Sequence, residues 1–266
     1  MIIYDEVHSL SENQIELSKE LFLTNKTVLA LTGTLADDTR YTLKQELGLD
    51  VLATYPIEQA IKEGVVSNFQ INVVQVPLDN KIKQYKGKTE KQKFDAYTYL
   101  IDKFESEGKD SKFMRLNRMR IIQNSLAKKN ATKLILERNS EERILVFAGL
   151  KKIADDLGID SFHSETKDVT LLHKFASGEG NKLAVIRMGS AGITFKPLNQ
   201  VVINYFSSNG EDLTQKLMRS MSYEYDNPNK TAIITIICST EPTEIKWLRK
   251  ALLGIENERI NWNYKL

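Results

Sequence analysis

Asp5 and Glu6 stand side by side after the apolar run Ile2-Ile3-Tyr4, and His8 follows two residues later. Adjacent carboxylates at the carboxyl end of a buried strand can divide one task. The first holds Mg2+ through the ion's water shell. The second orients or deprotonates an attacking water. Thr32-Gly33-Thr34 ends a second apolar run. The hydroxyls of Thr32 and Thr34 are of the right type to hydrogen-bond a neighbouring carboxylate or His8. A strand, a helix and a strand fit between Asp5 and Thr32, so both sets reach one sheet edge, where such folds bind ligands. Taken singly, the acidic pair also reads as a solvated turn, and the triplet as a plain turn.

Three further sets carry potential chemistry. Gly189-Ser190-Ala191-Gly192-Ile193-Thr194 follows an apolar run, and its small residues let backbone amides approach a phosphate or a nucleic-acid backbone. A tight turn accounts for the same residues. Gln215 and Arg219 are four residues apart in a helical stretch, which places them on one face, and an arginine there can stabilise charge on a transferring phosphoryl group. Between Lys112 and Lys133 lie Lys112, Arg115, Arg118, Arg120, Lys128, Lys129 and Lys133 with no acid among them. That block suits phosphates or a solvated helix face. His163 has no nucleophile or metal partner at a useful spacing and reads as a loop histidine at a strand end. A Gly-x-x-x-x-Gly-Lys-Ser/Thr phosphate loop does not occur in the sequence.

The elements that must position these residues alternate. Strands are expected at 1–4, 27–31, 69–76, 144–147, 183–186, 200–205 and 231–238. Helices are expected at 12–23, 38–47, 57–62, 151–157, 170–175, 213–223 and 244–253. Such alternation indicates an α/β protein with a parallel sheet. Residues 79–140 differ: they are rich in Lys and Glu, with apolar residues at helical spacing such as Tyr97, Leu100, Ile101 and Phe104. They read as two or three helices with a loop near 107–112. The 266 residues suffice for two compact lobes. A content of 41% hydrophobic and 27% charged residues is ordinary for a soluble chain. No run of about 18 apolar residues suggests a membrane span. A single cysteine, Cys238 in an apolar run, leaves no intramolecular disulfide and reads as core packing, with a cytoplasmic location expected. A net charge of +2 is too small by itself to announce a nucleic-acid binder.

In their order along the chain these motifs resemble the C-terminal part of a superfamily 2 DNA helicase or translocase of the DEAH/DExH type, in its phage and restriction-type branch. Asp5-Glu6-Val7-His8 resembles the family's Walker B box, and Thr32-Gly33-Thr34 the motif that couples hydrolysis to movement. The stretch from Tyr55 to Gly64 is similar to the segment leaving the first RecA-like lobe. The stretch from Arg143 to Gly149 resembles the opening strand of the second lobe, with His163-Ser164-Glu165 and His173 to Gly178 fitting the next conserved stretch. Gly189 to Thr194 matches the nucleic-acid and nucleotide contact motif, and Gln215 to Arg219 the first part of the arginine motif.

The resemblance implies RecA-like parallel-sheet lobes, the first incomplete (1–67) and the second complete (68–266), with a helical insertion at about 79–140. It implies ATP and Mg2+ as cofactors and DNA as partner, with RNA left open. ATP would lie in the cleft between lobes. Asp5, Glu6, His8 and Arg219 would be catalytic, with Asp5 on the metal. Gly192, Thr194, Gln215 and Arg219 would face the nucleotide, and Thr32 and Thr34 would couple. Gly189, Ser190, Arg115, Arg118 and Arg120 would face nucleic acid. Two departures bear on activity. The phosphate-loop half expected ahead of Asp5 is missing, so an N-terminal helicase half in cis or in trans is an implied partner. The second arginine of the arginine motif is Ser222, and loss of an arginine finger costs ~10³-fold or more in rate. The chain alone is therefore expected to be inactive. A non-catalytic nucleic-acid- or protein-binding module derived from a helicase lobe is the alternative, and a nuclease a weaker one, since no further clustered carboxylates complete a two-metal site.

Overall fold

The computed structural model describes the chain apart from residues 23, 25, 26, 34, 85, 167, 168, 187–194, 197, 207–209, 220, 222–226 and 228. It divides into two compact units, Met1–Lys62 and Glu63–Leu266.

The first unit is built on two short parallel strands, β1 (Ile2–Tyr4) and β2 (Val28–Ala30), in register from Ile2 opposite Val28 to Tyr4 opposite Ala30. The helix α1 (Glu12–Phe22) connects them, as expected of a parallel pair, which needs a crossover. Ser11 starts this helix: its amide donates to Gln14 Oε1 at 2.8 Å, and the Gln14 amide returns a bond to Ser11 Oγ, a reciprocal cap that satisfies two orphan donors. The helix α2 (Asp37–Leu47) closes on Gly48 in the left-handed region, and α3 (Ile57–Lys62) ends the unit. Val7, Leu43 and Leu47 form a small core, with Tyr4, Ile15, Phe22 and Ala30 packed on it. The alternate residues of the strands point away from that core, leaving Ile3 55% and Leu29 41% exposed.

The second unit carries seven parallel strands among the described residues. They are β3 (Asn68–Val76), β4 (Ile144–Phe147), β5 (Asp160–Phe162), β6 (Lys182–Val185), β7 (Gln200–Ile203), β8 (Thr231–Ser239) and β9 (Ile260–Asn261), in the order β5-β6-β4-β7-β8-β3-β9. Every residue of β4 and β7 is buried, as in a parallel sheet covered on both faces; their residues are apolar except Gln200, whose Nε2 donates to Thr235 Oγ1 at 2.6 Å. The helices are α4 (Glu90–Ser106), α5 (Lys112–Gln123), α6 (Leu126–Arg138), α7 (Lys151–Asp155), α8 (Val169–Ser177), α9 (Gly210–Met218) and α10 (Pro242–Ala251).

The helices of 79–140 play two parts. α6 lies on the sheet, with Ala131, Ile135 and Leu136 in one core with Val74, Val146, Val202 and Ile237. α4 and α5 pack through Phe94, Ile121 and Ile122 with Leu78 and Trp247. The fully buried carboxylate of Glu90 ties the two parts together. It accepts from the Asp79 amide at 3.0 Å, from Ser125 Oγ at 3.1 Å and from the Leu126 amide. A carboxylate at the amino end of α6 also complements the helix dipole.

Where β4 ends, Gly149 abuts Tyr205. A Cβ at Gly149 would lie 2.8 Å from both Cβ and Cγ of Tyr205. Gly149→Ala should therefore lower the thermal midpoint, with a cost of about 1–3 kcal/mol for overpacking. An unchanged midpoint would mean the two loops are not held in this close approach.

Candidate functional site

The first unit sets Asp5 and Glu6 in the turn that follows β1. Glu6 has φ 53° and ψ 45°, the left-handed region that non-glycine residues avoid at a cost of order 1–3 kcal/mol. Several bonds hold it there. Asp5 Oδ1 accepts the Glu6 amide at 3.0 Å. The Glu6 carbonyl accepts the Ser9 amide at 2.9 Å and Ser9 Oγ at 2.8 Å. The next residue, Val7, is buried and donates its amide to the Leu31 carbonyl at 3.1 Å. A strained residue fixed by its surroundings is a recurrent mark of a functional turn.

The turn also meets the Thr32 segment. Nδ1 of His8 and Oγ1 of Thr32 share a hydrogen bond of 2.6 Å. The Thr32 hydroxyl thus meets His8, one of the two kinds of partner its residue type allowed, across the carboxyl ends of the parallel pair. Thr34, the other hydroxyl of that expectation, lies outside the described residues. Oε2 of Glu6 is buried and has no hydrogen-bond partner among the described residues. It sits 3.3 Å from His8 Nδ1, within ion-pair range but off hydrogen-bond alignment. The Glu6 side chain as a whole is 47% exposed, so the carboxylate stays accessible to water although Oε2 itself is covered. Asp5 is exposed. One carboxylate suits Mg2+, which keeps several waters and takes the rest of its shell from phosphates. Among the described residues no group of three or more His, Cys, Asp or Glu side chains is placed to hold a metal ion.

In the second unit, Gln215 is exposed on α9, whose buried face carries Leu213 and Leu217. The helix was expected to run over 213–223. It ends at Met218, and Arg219 follows its last turn half-buried. The Met221 amide bonds to the Met218 carbonyl at 3.2 Å, while the Met221 carbonyl accepts the Ser67 amide at 2.9 Å. That bond ties Met221 to the segment before β3. Ser222 and the whole of Gly189, Ser190, Gly192 and Thr194 lie outside the described residues.

The basic block has several fates. Arg115 Nη2 pairs with Glu105 at 2.6 Å and its Nε donates to Ser111 Oγ at 3.0 Å. The Arg115 hydrogen bond, with a second from Ser111, holds the Glu105 carboxyl below the usual range. Arg118 donates to Thr98 Oγ1 at 3.3 Å and lies 5.6 Å over the Phe94 ring, where burial lowers its pKa. Lys129 pairs with Asp156 at 2.8 Å. Lys128 is buried against Glu244 at 2.5 Å. Arg120 alone of the three proposed arginines is free of ion pairs among the described residues and exposed; it borders a groove whose other cations, Lys93, Lys151 and Lys152, sequence reasoning did not single out. Those residues come from two separate stretches, Lys93 and the adjacent Lys151 and Lys152, which the sequence does not join. His163 is structural. It is buried, and its Nε2 contacts Asp155 Oδ1 at 3.0 Å. Hydrogen bonds from Ser161, then His163, keep the Asp155 carboxyl low. Cys238 is buried, which pushes its thiol pKa up.

No family model matches the chain, and no curated protein matches it in sequence. Solved structures do match in fold. One is S. cerevisiae Dbp5 bound to RNA and ADP BeF3, with 11% identity over 97% of this chain and 58% of that one at a TM-score of 0.56. A variant of S. cerevisiae Dbp5, also bound to RNA and ADP BeF3, gives 12% identity over the same shares at 0.53. The Pyrococcus furiosus Hef helicase domain gives 14% identity over 94% of this chain and 73% of that one at 0.49. The two likenesses above 0.5 show a shared fold and nothing finer, and the chain spans 58% of those Dbp5 chains. The architecture expected from sequence, α/β with a RecA-like parallel sheet, is the one observed. No helix among the described residues is long and apolar enough to cross a membrane.

Proposed function

We propose that the chain is the water-activating part of an ATP-driven superfamily 2 motor acting on nucleic acid, working with a phosphate loop supplied by further polypeptide in cis or in trans. The observation that carries this reading is the 2.6 Å bond between His8 and Thr32. It ties the turn bearing Asp5 and Glu6 to the segment resembling the coupling motif. The exposed apolar face of β1 and β2, with Ile3 and Leu29, supports a sheet that further chain covers, since parallel sheets are normally buried on both faces. Dbp5, which shares the fold, is held with RNA and ADP BeF3, and this supports a nucleotide and a nucleic acid as ligands here.

In this reading Asp5 holds Mg2+, which when bound offsets charge on the β- and γ-phosphate oxygens. Glu6 accepts a proton from the attacking water or orients it, and His8 relays the state of that turn to Thr32. Gln215 and Arg219 of the second unit face the nucleotide, and Thr34, Gly189, Ser190, Gly192 and Thr194 keep the roles the resemblance implies. The location is cytoplasmic and the nucleic acid DNA, in a phage-type system. The absence of a phosphate-loop motif from the sequence favours one competing reading, a non-catalytic binding module.

A phosphate-release assay separates the two. The chain alone should show negligible nucleic-acid-stimulated turnover, because backbone amides and a lysine that supply most phosphate affinity are missing. Joined to a phosphate-loop half-lobe, fused or added as a separate chain, it should turn over ATP. In that assembly Arg219→Ala should lower the rate, and Ser222→Arg should raise it. Turnover by the chain alone would contradict the proposal, and an assembly that binds nucleic acid yet never hydrolyses ATP would favour the module.

A further inference from the structure

A groove of about 680 Å³ opens on the second unit where α4 and α5 meet the turn between β4 and α7. Its rim carries Lys93 from α4, Arg120 from α5, and Lys151 and Lys152 from the start of α7; Tyr97 and Leu150 contribute to its apolar floor. Among the described residues no Asp or Glu lines it. Lys151 is paired with Glu165 at 2.5 Å. Lys93, Arg120 and Lys152 make no ion pair among the described residues, and the nearby Asp156 is taken by Lys129. The Lys93 ammonium lies 4.7 Å over the Tyr97 ring, so the lysine swings out to a phosphate when a base takes that face.

We infer that this groove binds single-stranded nucleic acid, with phosphates on the cationic rim and a base against Tyr97. The inference rests on the proposal that the chain acts on nucleic acid, and adds where and in what form. A duplex offers such a groove only phosphates and has no use for an apolar, aromatic floor. A single strand presents both charges and unstacked bases, and sites for it combine a basic groove with stacking side chains. An acidic peptide would meet the charges but would leave the ring without a flat partner. Arg115 and Arg118, already engaged with Glu105, Thr98 and Phe94, take no part.

The test is fluorescence anisotropy on the full chain with labelled oligo-dT and oligo-rU, a mixed-sequence duplex and polyglutamate, over a range of salt. Single strands should bind tightest. The triple variant Lys93→Ala, Arg120→Ala, Lys152→Ala should bind at least about tenfold more weakly at low salt. Its slope of log affinity against log salt should flatten by about 2, at ~0.7 for each phosphate no longer neutralised. Tyr97→Ala should weaken binding by about fivefold or more with the slope unchanged, as expected when one base loses its stacking partner. Thermal unfolding confirms that each variant is folded; should Tyr97→Ala melt early, Tyr97→Leu replaces it, keeping bulk without the aromatic face. Single-strand binding that both variants leave intact would overturn the groove while leaving the motor proposal standing. Duplex or polyglutamate binding tighter than single strands would overturn it too, and no binding of any nucleic acid by the unaltered chain would overturn both.

Discussion

Lys128→Met is expected to cost the second unit about 3–5 kcal/mol of stability, the usual effect of removing one partner of a buried ion pair. Lys128 and Glu244 are 1% and 0% exposed and approach to 2.5 Å. Lys128 sits on α6 and Glu244 on α10, and the pair joins the two helices beside β8. Glu244 is further held by the Ser239 amide at 2.7 Å, and the Lys128 ammonium lies 5.4 Å over the Phe206 ring. Without the lysine, a carboxylate stays in the core with one amide donor and no counter-charge. The double change Lys128→Met with Glu244→Gln should recover most of the loss. The amide removes the charge, while its oxygen still accepts from Ser239. Urea unfolding followed by tryptophan fluorescence reports on this unit alone, because both tryptophans, Trp247 and Trp262, belong to it. A single change costing under about 1 kcal/mol, or a double change no better than the single, would contradict the argument that the unpaired charge sets the penalty.

The same lysine shows where sequence reasoning stops. In the sequence it is one of seven cations in an acid-free block; in the fold it is core. Its neighbours on α6 hide the helix's role as well. Ala131 and Thr132 are buried but small or polar, so the apolar stripe that would have announced a sheet-packed helix is faint. Strong patterns were read correctly. The apolar triplets of β1 and β2, separated by an amphipathic helix, gave the parallel pair, and the β-branched runs of β3 and β8 gave two strands now seen in register along their full length. β5, with Asp-Ser-Phe, was implied only by reading His163 as lying at a strand end, and β9, with Ile-Asn, was not foreseen; both are too short to show any period, and the sheet defines them by pairing. Just past the end of α9, Met221 accepts a bond from distant Ser67, which no local propensity encodes. In the candidate site, residue types gave Asp5, Glu6, His8 and Thr32 as a set. The left-handed backbone of Glu6 was not legible, since no glycine marks the position.

Glu6→Gln carries the largest expected effect on activity. In an assembly completed by a phosphate-loop half-lobe, turnover should fall by about 10²–10⁴-fold, the usual contribution of a positioned general base. ATP affinity should stay within about twofold, because the amide has the same shape and leaves Asp5, the residue assigned to Mg2+, in place. The backbone should hold as well. The bonds that fix the turn come from Asp5 Oδ1, the Ser9 amide and hydroxyl, and the Val7 amide, and none involves the Glu6 side chain. What the substitution removes is the carboxylate whose Oε2 sits covered, without a hydrogen-bond donor among the described residues, 3.3 Å from His8 Nδ1. The most direct measurement is steady-state phosphate release by the completed assembly with nucleic acid present, unaltered and with Glu6→Gln, alongside ATP binding by both. The account predicts turnover that disappears with the substitution while ATP binding persists. Equal turnover by the two assemblies would contradict it.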